Sequence, residues 1–304
     1  MSNRDTSGRK FLLRVGLVAG FLGGWIVLRR RTASYGAWLL RPAEGESRTA
    51  LITGASSGIG AAYAHQLAAM GYHLILVARR EERLAALSAE LQARYPINAE
   101  VLVADLANSN HIERVESRVA QLEDLALLIN NAGFGAPGSF AEVDLATQLK
   151  MIHVHIIASV RLTRAALPGM IARRRGAIIN VSSIAGLVPI PGSATYSSSK
   201  AYLNVFSEAL QAELKGTRVK VQALCPGFTR TGFHDTPEHG GFHRSRIPAA
   251  LWMSAEEVAA QSLRALGRPQ VIFVPGFKNR LLAALARNVP RSLLHLLRSR
   301  PEHH

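Results

Sequence analysis

The sequence predicts an α/β protein: a single domain built on a doubly wound parallel sheet of about seven strands with helices on both faces. Two observations predict it. From Arg48 onward, short apolar runs alternate with longer stretches of helix-forming composition. The runs are almost continuous in aliphatic residues, which is typical of parallel strands buried on both faces.

The seven apolar runs occupy residues 50–53, 74–78, 99–104, 126–130, 177–182, 219–224 and 271–274. The stretches between them, such as 81–94 and 111–122, repeat apolar residues at a spacing of three to four and therefore predict helices. We accordingly divide the chain into an N-terminal hydrophobic anchor and connector (1–47), the α/β domain (48–276) and basic amphipathic C-terminal helices (277–304).

The N-terminal part contains an apolar run, 11–28, interrupted only by Arg14 and flanked by basic residues on both sides. As a helix it would be about 27 Å long, just enough for a hydrocarbon core. We expect a membrane anchor or an interfacial helix; a helix that packs on the protein itself is the alternative. The arginines at 29–31 favour a catalytic domain on the cytoplasmic face. The C-terminal helices either lie on a membrane surface or pack over the domain.

The net charge of +15 is concentrated in the two ends of the chain. Residues 1–48 carry nine basic and three acidic residues, and residues 275–304 carry six and one. This distribution favours an anionic membrane surface over nucleic acid. Cys225 is the only cysteine and ends an apolar run, so it predicts a buried thiol. Three histidines (His234, His239, His243) lack thiol or carboxylate partners at metal-site spacing, and no metal is predicted.

A glycine-rich turn follows the first strand directly and opens a helix. Glycines there allow a pyrophosphate to approach the backbone, and the helix N-terminus supplies N–H donors and positive dipole. The turn therefore predicts a dinucleotide site formed by Gly54, Ser56, Ser57, Gly58, Ile59 and Gly60.

The spacing of these glycines, with three residues between the first two and one between the last two, resembles the short-chain dehydrogenase/reductase family. The resemblance extends over residues 49–274 and implies a Rossmann-type fold, commonly a homodimer or homotetramer. It implies that Asp105 contacts adenine and that the turn Asn131, Ala132 and Gly133 lies on the cofactor side. It also implies that Pro226, Gly227, Thr229 and Thr231 lie near the nicotinamide carboxamide.

The end of the second strand indicates which cofactor is used. An NAD site would carry an acidic residue there for the ribose 2′-hydroxyl, but Ala78 is followed by two arginines. A guanidinium forms charge-assisted hydrogen bonds with a 2′-phosphate. We therefore predict NADP(H), with Arg79 as the first choice of ligand and Arg80 and Ser56 assisting; the alternative is a solvated basic start of a helix.

Three residues match the family's catalytic set. Tyr196 and Lys200 are four residues apart on one helix face, and Ser183 precedes Tyr196 by 13 residues at a strand end. Carbonyl reduction needs a proton for the oxygen, so we assign Tyr196 as general acid or base. We expect the charge of Lys200, together with the oxidised nicotinamide, to favour the phenolate, and Lys200 to hold the nicotinamide ribose. Ser183 would bind the substrate oxygen, with Ser182 as the alternative serine.

One position departs from the family pattern. Members often carry an asparagine in the helix after the fourth strand to complete a proton relay, and His155 occupies this place. His155 either relays a proton through its ring, leaves its backbone carbonyl to hold a relay water, or is a core histidine without a catalytic duty.

The substrate should lie beside the nicotinamide, bounded by Phe134, Leu187 and the segment 232–253, which is long enough for a lid. Aromatic and apolar residues in that segment (Phe233, Phe242, Leu251, Trp252) either line an apolar pocket or only pack the lid. We predict an NADPH-dependent enzyme acting on a lipophilic carbonyl or alcohol. The competing hypotheses are a catalytically idle NADPH-binding redox sensor and a structural anchor without a ligand.

Overall fold

The computed structural model describes residues 47–234 and 247–288. Within them the main sheet has seven parallel strands: β1 (Thr49–Thr53), β2 (His73–Ala78), β3 (Ala99–Val103), β4 (Leu125–Asn130), β5 (Gly176–Val181), β6 (Val219–Leu224) and β9 (Ile272–Phe273). Their order across the sheet is β3-β2-β1-β4-β5-β6-β9. A separate two-stranded ladder pairs β7 (Thr229–Arg230) with β8 (Met253–Ser254). The predicted fold class is confirmed.

Helices cover both faces of the sheet. They are α1 (Gly58–Ala69), α2 (Glu81–Arg94), α3 (Ser109–Ala120), α4 (Leu145–Ile152), α5 (Ala158–Ala172), α6 (Ala194–Glu213), α7 (Ala255–Ala265) and α8 (Phe277–Asn288). Leucines and other apolar residues of α1, α2 and α7 form one core cluster with the sheet, and those of α3, α5 and α6 form a second. The alternation of strands and helices produces these two cores because each crossover returns over one face of the sheet.

The structure departs from the sequence prediction mainly in short elements. β9 spans two residues rather than the four predicted, because only Ile272 and Phe273 pair with β6. The β7–β8 ladder was not predicted, since two-residue strands have no measurable periodicity. Residues His153–Ile157 form a π-helical turn between α4 and α5, and this turn determines how His155 faces the site.

The strand order reverses between β1 and β4, and loops at the carboxyl ends of these strands leave a crevice there. The glycine-rich turn follows β1, and the turn 131–133 follows β4. Ser183 follows β5, and the segment 226–231 follows β6. The fold therefore gathers the predicted site residues at one edge of the sheet.

Several predictions concern residues outside the described ranges. They include the apolar run 11–28, most of the proposed lid with Phe242, and His239 and His243. Among the residues that the structure describes, no helix combines the length and the apolar character needed to cross a bilayer.

Candidate active site

The glycine-rich turn has the backbone geometry that a phosphate cradle requires. Gly54 and Gly58 adopt positive φ angles of 67° and 57°, which favour glycine. A Cβ at Gly60 would lie 2.3 Å from the carbonyl oxygen of Gly54. Ser57 precedes the first turn of α1, so the open backbone N–H groups of this helix face the turn. Ser56 and Ile59 complete the predicted set within the same loop and first helical turn.

The turn after β4 is tied to the glycine-rich turn through Thr53. The Thr53 hydroxyl accepts hydrogen bonds from the backbone N–H of Asn131 and of Ala132, at 2.9 and 3.0 Å. The Asn131 amide Nδ2 donates to the carbonyl oxygens of Thr53 and Gly54, at 2.8 and 3.3 Å. Thr53 was not among the predicted site residues; its place at the last residue of β1, just before the turn, was the available signal.

A cluster of arginine and serine side chains stands at the other side of the turn. Arg80 donates through Nη2 to the hydroxyl oxygens of Ser56 and Ser57, both at 2.7 Å, and through Nε to Ser56 at 3.1 Å. Arg79 is exposed. Partial burial, followed by the nearby charges of Arg83 and Arg79, lowers the pKa of the Arg80 guanidinium. An anion at this cluster would relieve that repulsion.

The remaining predicted cofactor residues also lie along the crevice. The Asp105 carboxylate accepts from the Ala107 N–H at 3.0 Å and lies 3.9 Å from the Lys150 ammonium. Thr231 packs against the glycine-rich turn, since a Cβ at Gly58 would lie 3.0 Å from its Cγ2.

The turn after β6 is held by hydrogen bonds of its own. The Pro226 carbonyl accepts from the Ile184 N–H at 3.0 Å, and the Thr229 hydroxyl donates to the Gly227 carbonyl at 3.1 Å. These contacts join the turn after β6 to the segment that follows Ser183.

Ser183, Tyr196 and Lys200 come together above the end of β5. The Ser183 side chain is close enough to the Tyr196 phenol to lower its pKa. The Lys200 ammonium lies 5.7 Å from the centroid of the Tyr196 ring and donates to the Val181 carbonyl at 2.8 Å. Ser182 faces elsewhere, because its hydroxyl donates to the Lys200 carbonyl at 2.7 Å.

Burial controls the protonation of this group. Burial raises the pKa of the Tyr196 phenol to about 12, and the nearby Ser183 side chain offsets only part of this effect. Burial also lowers the pKa of Lys200 to about 8. The phenol is therefore protonated at neutral pH, because burial of a phenolate is unfavourable.

His155 is buried and both of its ring nitrogens are engaged. Nε2 accepts from the Phe134 backbone N–H at 3.1 Å, which leaves the hydrogen of the neutral ring on Nδ1. Nδ1 then donates to the Ser199 hydroxyl at 2.8 Å, and that hydroxyl donates to the Tyr196 carbonyl at 2.8 Å. Burial, and then the charge of Lys200, holds the pKa of His155 well below its usual value.

This chain of hydrogen bonds joins the cofactor-side turn to the tyrosine. A Cβ at Gly133 would lie 2.9 Å from His155 Nε2 and 3.4 Å from Lys200 Nζ, so this glycine lets the turn approach both residues. The backbone carbonyl of His155 accepts the Ser159 hydroxyl at 2.8 Å. Ser199 was not among the predicted site residues; its position between Tyr196 and Lys200 was the only signal.

Aromatic rings surround the Tyr196 side chain. Its ring centroid lies 5.8 Å from that of His155 and 6.0 Å from that of Phe233, and Phe134 packs edge-on against His155 at 6.0 Å. A second pair, Phe228 and Trp252, is 5.5 Å apart. Within residues 47–234 and 247–288, no group of three or more acidic, cysteine or histidine side chains could hold a metal ion.

Comparison with known proteins places this arrangement in a family. The profile of short chain dehydrogenases matches residues 48–239, more than half of the chain. The chain belongs to the short-chain dehydrogenase family. The match includes the glycine-rich turn and the residues Ser183, Tyr196 and Lys200.

Two curated relatives and one solved structure illustrate the similarity. The very-long-chain 3-oxoacyl-CoA reductase of Anas platyrhynchos is 38% identical over 187 residues, 60% of each chain. The sulfoacetaldehyde reductase of Chromohalobacter salexigens is 43% identical over 188 residues, 60% of this chain and 72% of that protein. The chain thus spans about 60% of the length of the first of these relatives. A short-chain dehydrogenase from Sphingobium yanoikuyae in complex with NADPH superposes with a TM-score of 0.72 at 31% identity, covering 84% of this chain and 98% of that one.

Proposed function

We propose that this short-chain dehydrogenase is an NADPH-dependent reductase of lipophilic carbonyl compounds. The observation that carries the proposal is the gathering of Ser183, Tyr196 and Lys200 above the end of β5. The Lys200 ammonium lies 5.7 Å from the centroid of the Tyr196 ring, and the Ser183 side chain is close enough to lower the pKa of the phenol. A proton donor, a substrate-positioning hydroxyl and a cation thus lie within one crevice. A protein that only bound a dinucleotide would not need this set.

The residues of the crevice fit NADP(H). The glycine-rich turn accommodates a pyrophosphate because a side chain at Gly60 would collide with the backbone of Gly54. Arg80, with Ser56 and Ser57, supplies donors for a 2′-phosphate. The NADPH complex of the similar Sphingobium enzyme supports the same assignment. When bound, the nicotinamide supplies a hydride to the carbonyl carbon.

Tyr196 supplies the proton. With a pKa of about 12, the phenol stays protonated at neutral pH and can donate to the oxygen on which negative charge grows. Ser183 donates a hydrogen bond to that oxygen and orients it toward the phenol. Lys200, at a pKa of about 8, is still charged at neutral pH and stabilises the tyrosinate that remains.

His155 has a positioning role in this proposal. The ring accepts from the Phe134 N–H and donates to Ser199, so neither nitrogen is left to exchange a proton with water. The chain of bonds fixes the turn 131–134 against α6 and, through Ser199, the backbone of Tyr196. A proton relay through the imidazole would require one of these bonds to break.

The substrate class follows from the ring-lined crevice. Phe233 packs against Tyr196, and Phe134 packs against His155 beside it; these rings offer apolar surface, which favours a lipophilic ketone or acyl chain. The very-long-chain 3-oxoacyl-CoA reductase among the relatives supports this class. The proposal includes membrane association, by way of the 1–47 segment, with the domain 48–276 on the cytoplasmic face.

The test is NADPH oxidation with purified protein and a panel of carbonyls: long-chain 3-oxoacyl-CoA, bulky ketones and sulfoacetaldehyde. We expect turnover with the lipophilic compounds and its loss in Tyr196→Phe with NADPH binding retained. Tyr202→Phe is the matched control, since Tyr202 lies on the same helix but is 41% exposed and stacks on Phe206. Tight NADPH binding without turnover of any compound would instead favour the redox sensor. Preference for sulfoacetaldehyde would contradict the substrate class.

A further inference from the structure

Helix α8 presents an apolar face to solvent. Phe277, Leu281 and Leu285 are 72%, 52% and 61% exposed and follow one another at a spacing of four residues, so they form one stripe. Leu282, 46% exposed, lies outside this stripe, about 60° of rotation from Leu285. Large apolar side chains at this density on a single short helix are unusual on a surface that meets only water.

The opposite face of the helix holds it to the protein. Asn279 and Ala283, also four residues apart, are 4% and 7% exposed. At about 100° of rotation per residue, the apolar stripe points almost directly away from these two residues. Asn279 and Ala283 therefore anchor the helix to the protein, and its most apolar side faces solvent. An ordinary surface helix buries its apolar side instead.

Basic residues flank the stripe. Lys278 and Arg280 are exposed and, from the same rotation, lie on either side of it. Residues 275–304 as a whole carry six basic and one acidic residue. Two copies of this face brought together would juxtapose like charges, whereas an anionic bilayer would neutralise them. Apolar residues between flanking cations are typical of helices that lie in a membrane interface.

The helix also lies beside the candidate active site. A Cβ at Gly227, in the turn after β6, would lie 2.7 Å from the side chain of Asn279. A Cβ at Gly276 would lie 2.7 Å from Met253 Sδ, and α8 contacts the turn Ala249–Leu251. A surface that binds α8 therefore comes close to the segment that borders the substrate crevice.

We propose that α8 is a membrane-docking helix, whose stripe Phe277, Leu281 and Leu285 enters the interface of an anionic bilayer while Lys278 and Arg280 contact lipid phosphates. This docking is independent of the residues 1–46 and of the chemistry at Tyr196. It brings the border of the crevice to the lipid surface, from which an apolar substrate can enter without crossing water.

The experiment uses the full chain with Leu281→Cys, labelled with an environment-sensitive fluorophore. Cys225 is completely buried, so the introduced thiol is the one that reacts in the folded protein. Ile171→Cys, at a residue that is 40% exposed at the end of α5, is the matched control. The label reports its own surroundings and so separates α8 from any binding through the N-terminal part.

On vesicles of phosphatidylcholine with about one third phosphatidylglycerol, we expect the fluorescence emission of the label at position 281 to shift to the blue and to be quenched by lipid-borne quenchers. The label at position 171 should show neither effect. Vesicles of phosphatidylcholine alone should give a weaker response. With the label at Phe277→Cys, adding Leu281→Glu and Leu285→Glu should abolish the shift. Lys278→Gln with Arg280→Gln should raise the lipid concentration for half-maximal shift about tenfold. NADPH affinity should be unchanged throughout.

Three results would overturn the proposal. The label at 281 could stay unaffected by anionic vesicles. It could be blue-shifted before lipid is added, increasingly so at higher protein concentration, which would identify a second copy as the occupant. Or it could be blue-shifted without lipid at every concentration, which would mean that another segment of the same chain covers the stripe.

Discussion

The assignment of the 2′-phosphate ligand makes a quantitative prediction for Arg80→Met. Arg80 bonds the hydroxyls of Ser56 and Ser57, and its guanidinium is crowded by Arg79 and Arg83. A hydrogen bond to a charged group contributes about 1.5 to 3 kcal/mol. Because Arg80 is exposed, solvent screens part of this, and we expect about 1.5 to 2 kcal/mol. The Kd for NADPH should therefore rise about 10- to 30-fold.

The assay is a pair of titrations, NADPH and NADH, followed by nicotinamide fluorescence. Arg80→Met should change the Kd for NADH much less than the Kd for NADPH, because NADH has no 2′-phosphate for Arg80 to bind. Arg79→Met is the matched control: both arginines are exposed, but it is Arg80 that bonds the hydroxyls of Ser56 and Ser57. An equal loss of affinity for both cofactors in Arg80→Met, or a larger NADPH defect in Arg79→Met, would refute the reasoning and restore Arg79 as the principal ligand.

Three further predictions concern buried side chains. His155→Asn keeps an acceptor for the Phe134 N–H and a donor for Ser199, so its kcat should stay within about threefold of the original value. His155→Leu keeps neither group, and its kcat should fall about 30-fold, which corresponds to about 2 kcal/mol. Equal losses of kcat in both variants would indicate proton transfer through the ring. Because Lys200 has a pKa of about 8, kcat/KM for NADPH should be constant below pH 8 and should fall above it as the ammonium loses its proton. Lys200→Arg should lack this decline, because an arginine stays charged. The same decline in the variant would exclude Lys200 as its source. Lys220 is 5% exposed, and burial lowers its pKa to about 8, although its ammonium donates to the carbonyls of Pro269 and Gln270 at 3.3 Å. Because the cost of burying the charge exceeds the benefit of these two bonds, Lys220→Met should raise the free energy of unfolding by about 2 kcal/mol at neutral pH. The gain in the free energy of unfolding should shrink as the pH rises from about 8 to about 10.5, where the unfolded lysine also loses its proton. Denaturant titrations of both proteins at neutral pH and at about pH 10.5 measure this gain. A variant that is less stable than the original protein at both pH values would contradict the prediction.

Much of the fold and the core of the site were predictable from local sequence. Alternating apolar runs and helical stretches predict a two-faced parallel sheet because each signal depends on a few neighbouring residues and on burial. The glycine-rich turn is equally local, since Gly54 and Gly58 need positive φ angles wherever such a turn occurs. The spacing of Tyr196 and Lys200 sets one face of one helix before any tertiary contact exists.

Other features required the tertiary structure because they depend on residues far apart in the chain. The choice between Arg79 and Arg80 depends on which guanidinium reaches Ser56, 24 residues from Arg80. The contacts of His155 depend on the π-helical turn and on Ser199, 44 residues away.

The pKa of Tyr196 could likewise not be predicted from the sequence, because it depends on how deeply the ring is buried. That burial depends on residues from many parts of the fold. The outward stripe of α8 belongs to the same class: the pattern of leucines and arginines is visible in the sequence, but only packing at Asn279 and Ala283 decides which side of the helix meets solvent. Local rules thus determined the elements and their chemistry, and the distances between elements decided which side chains act together.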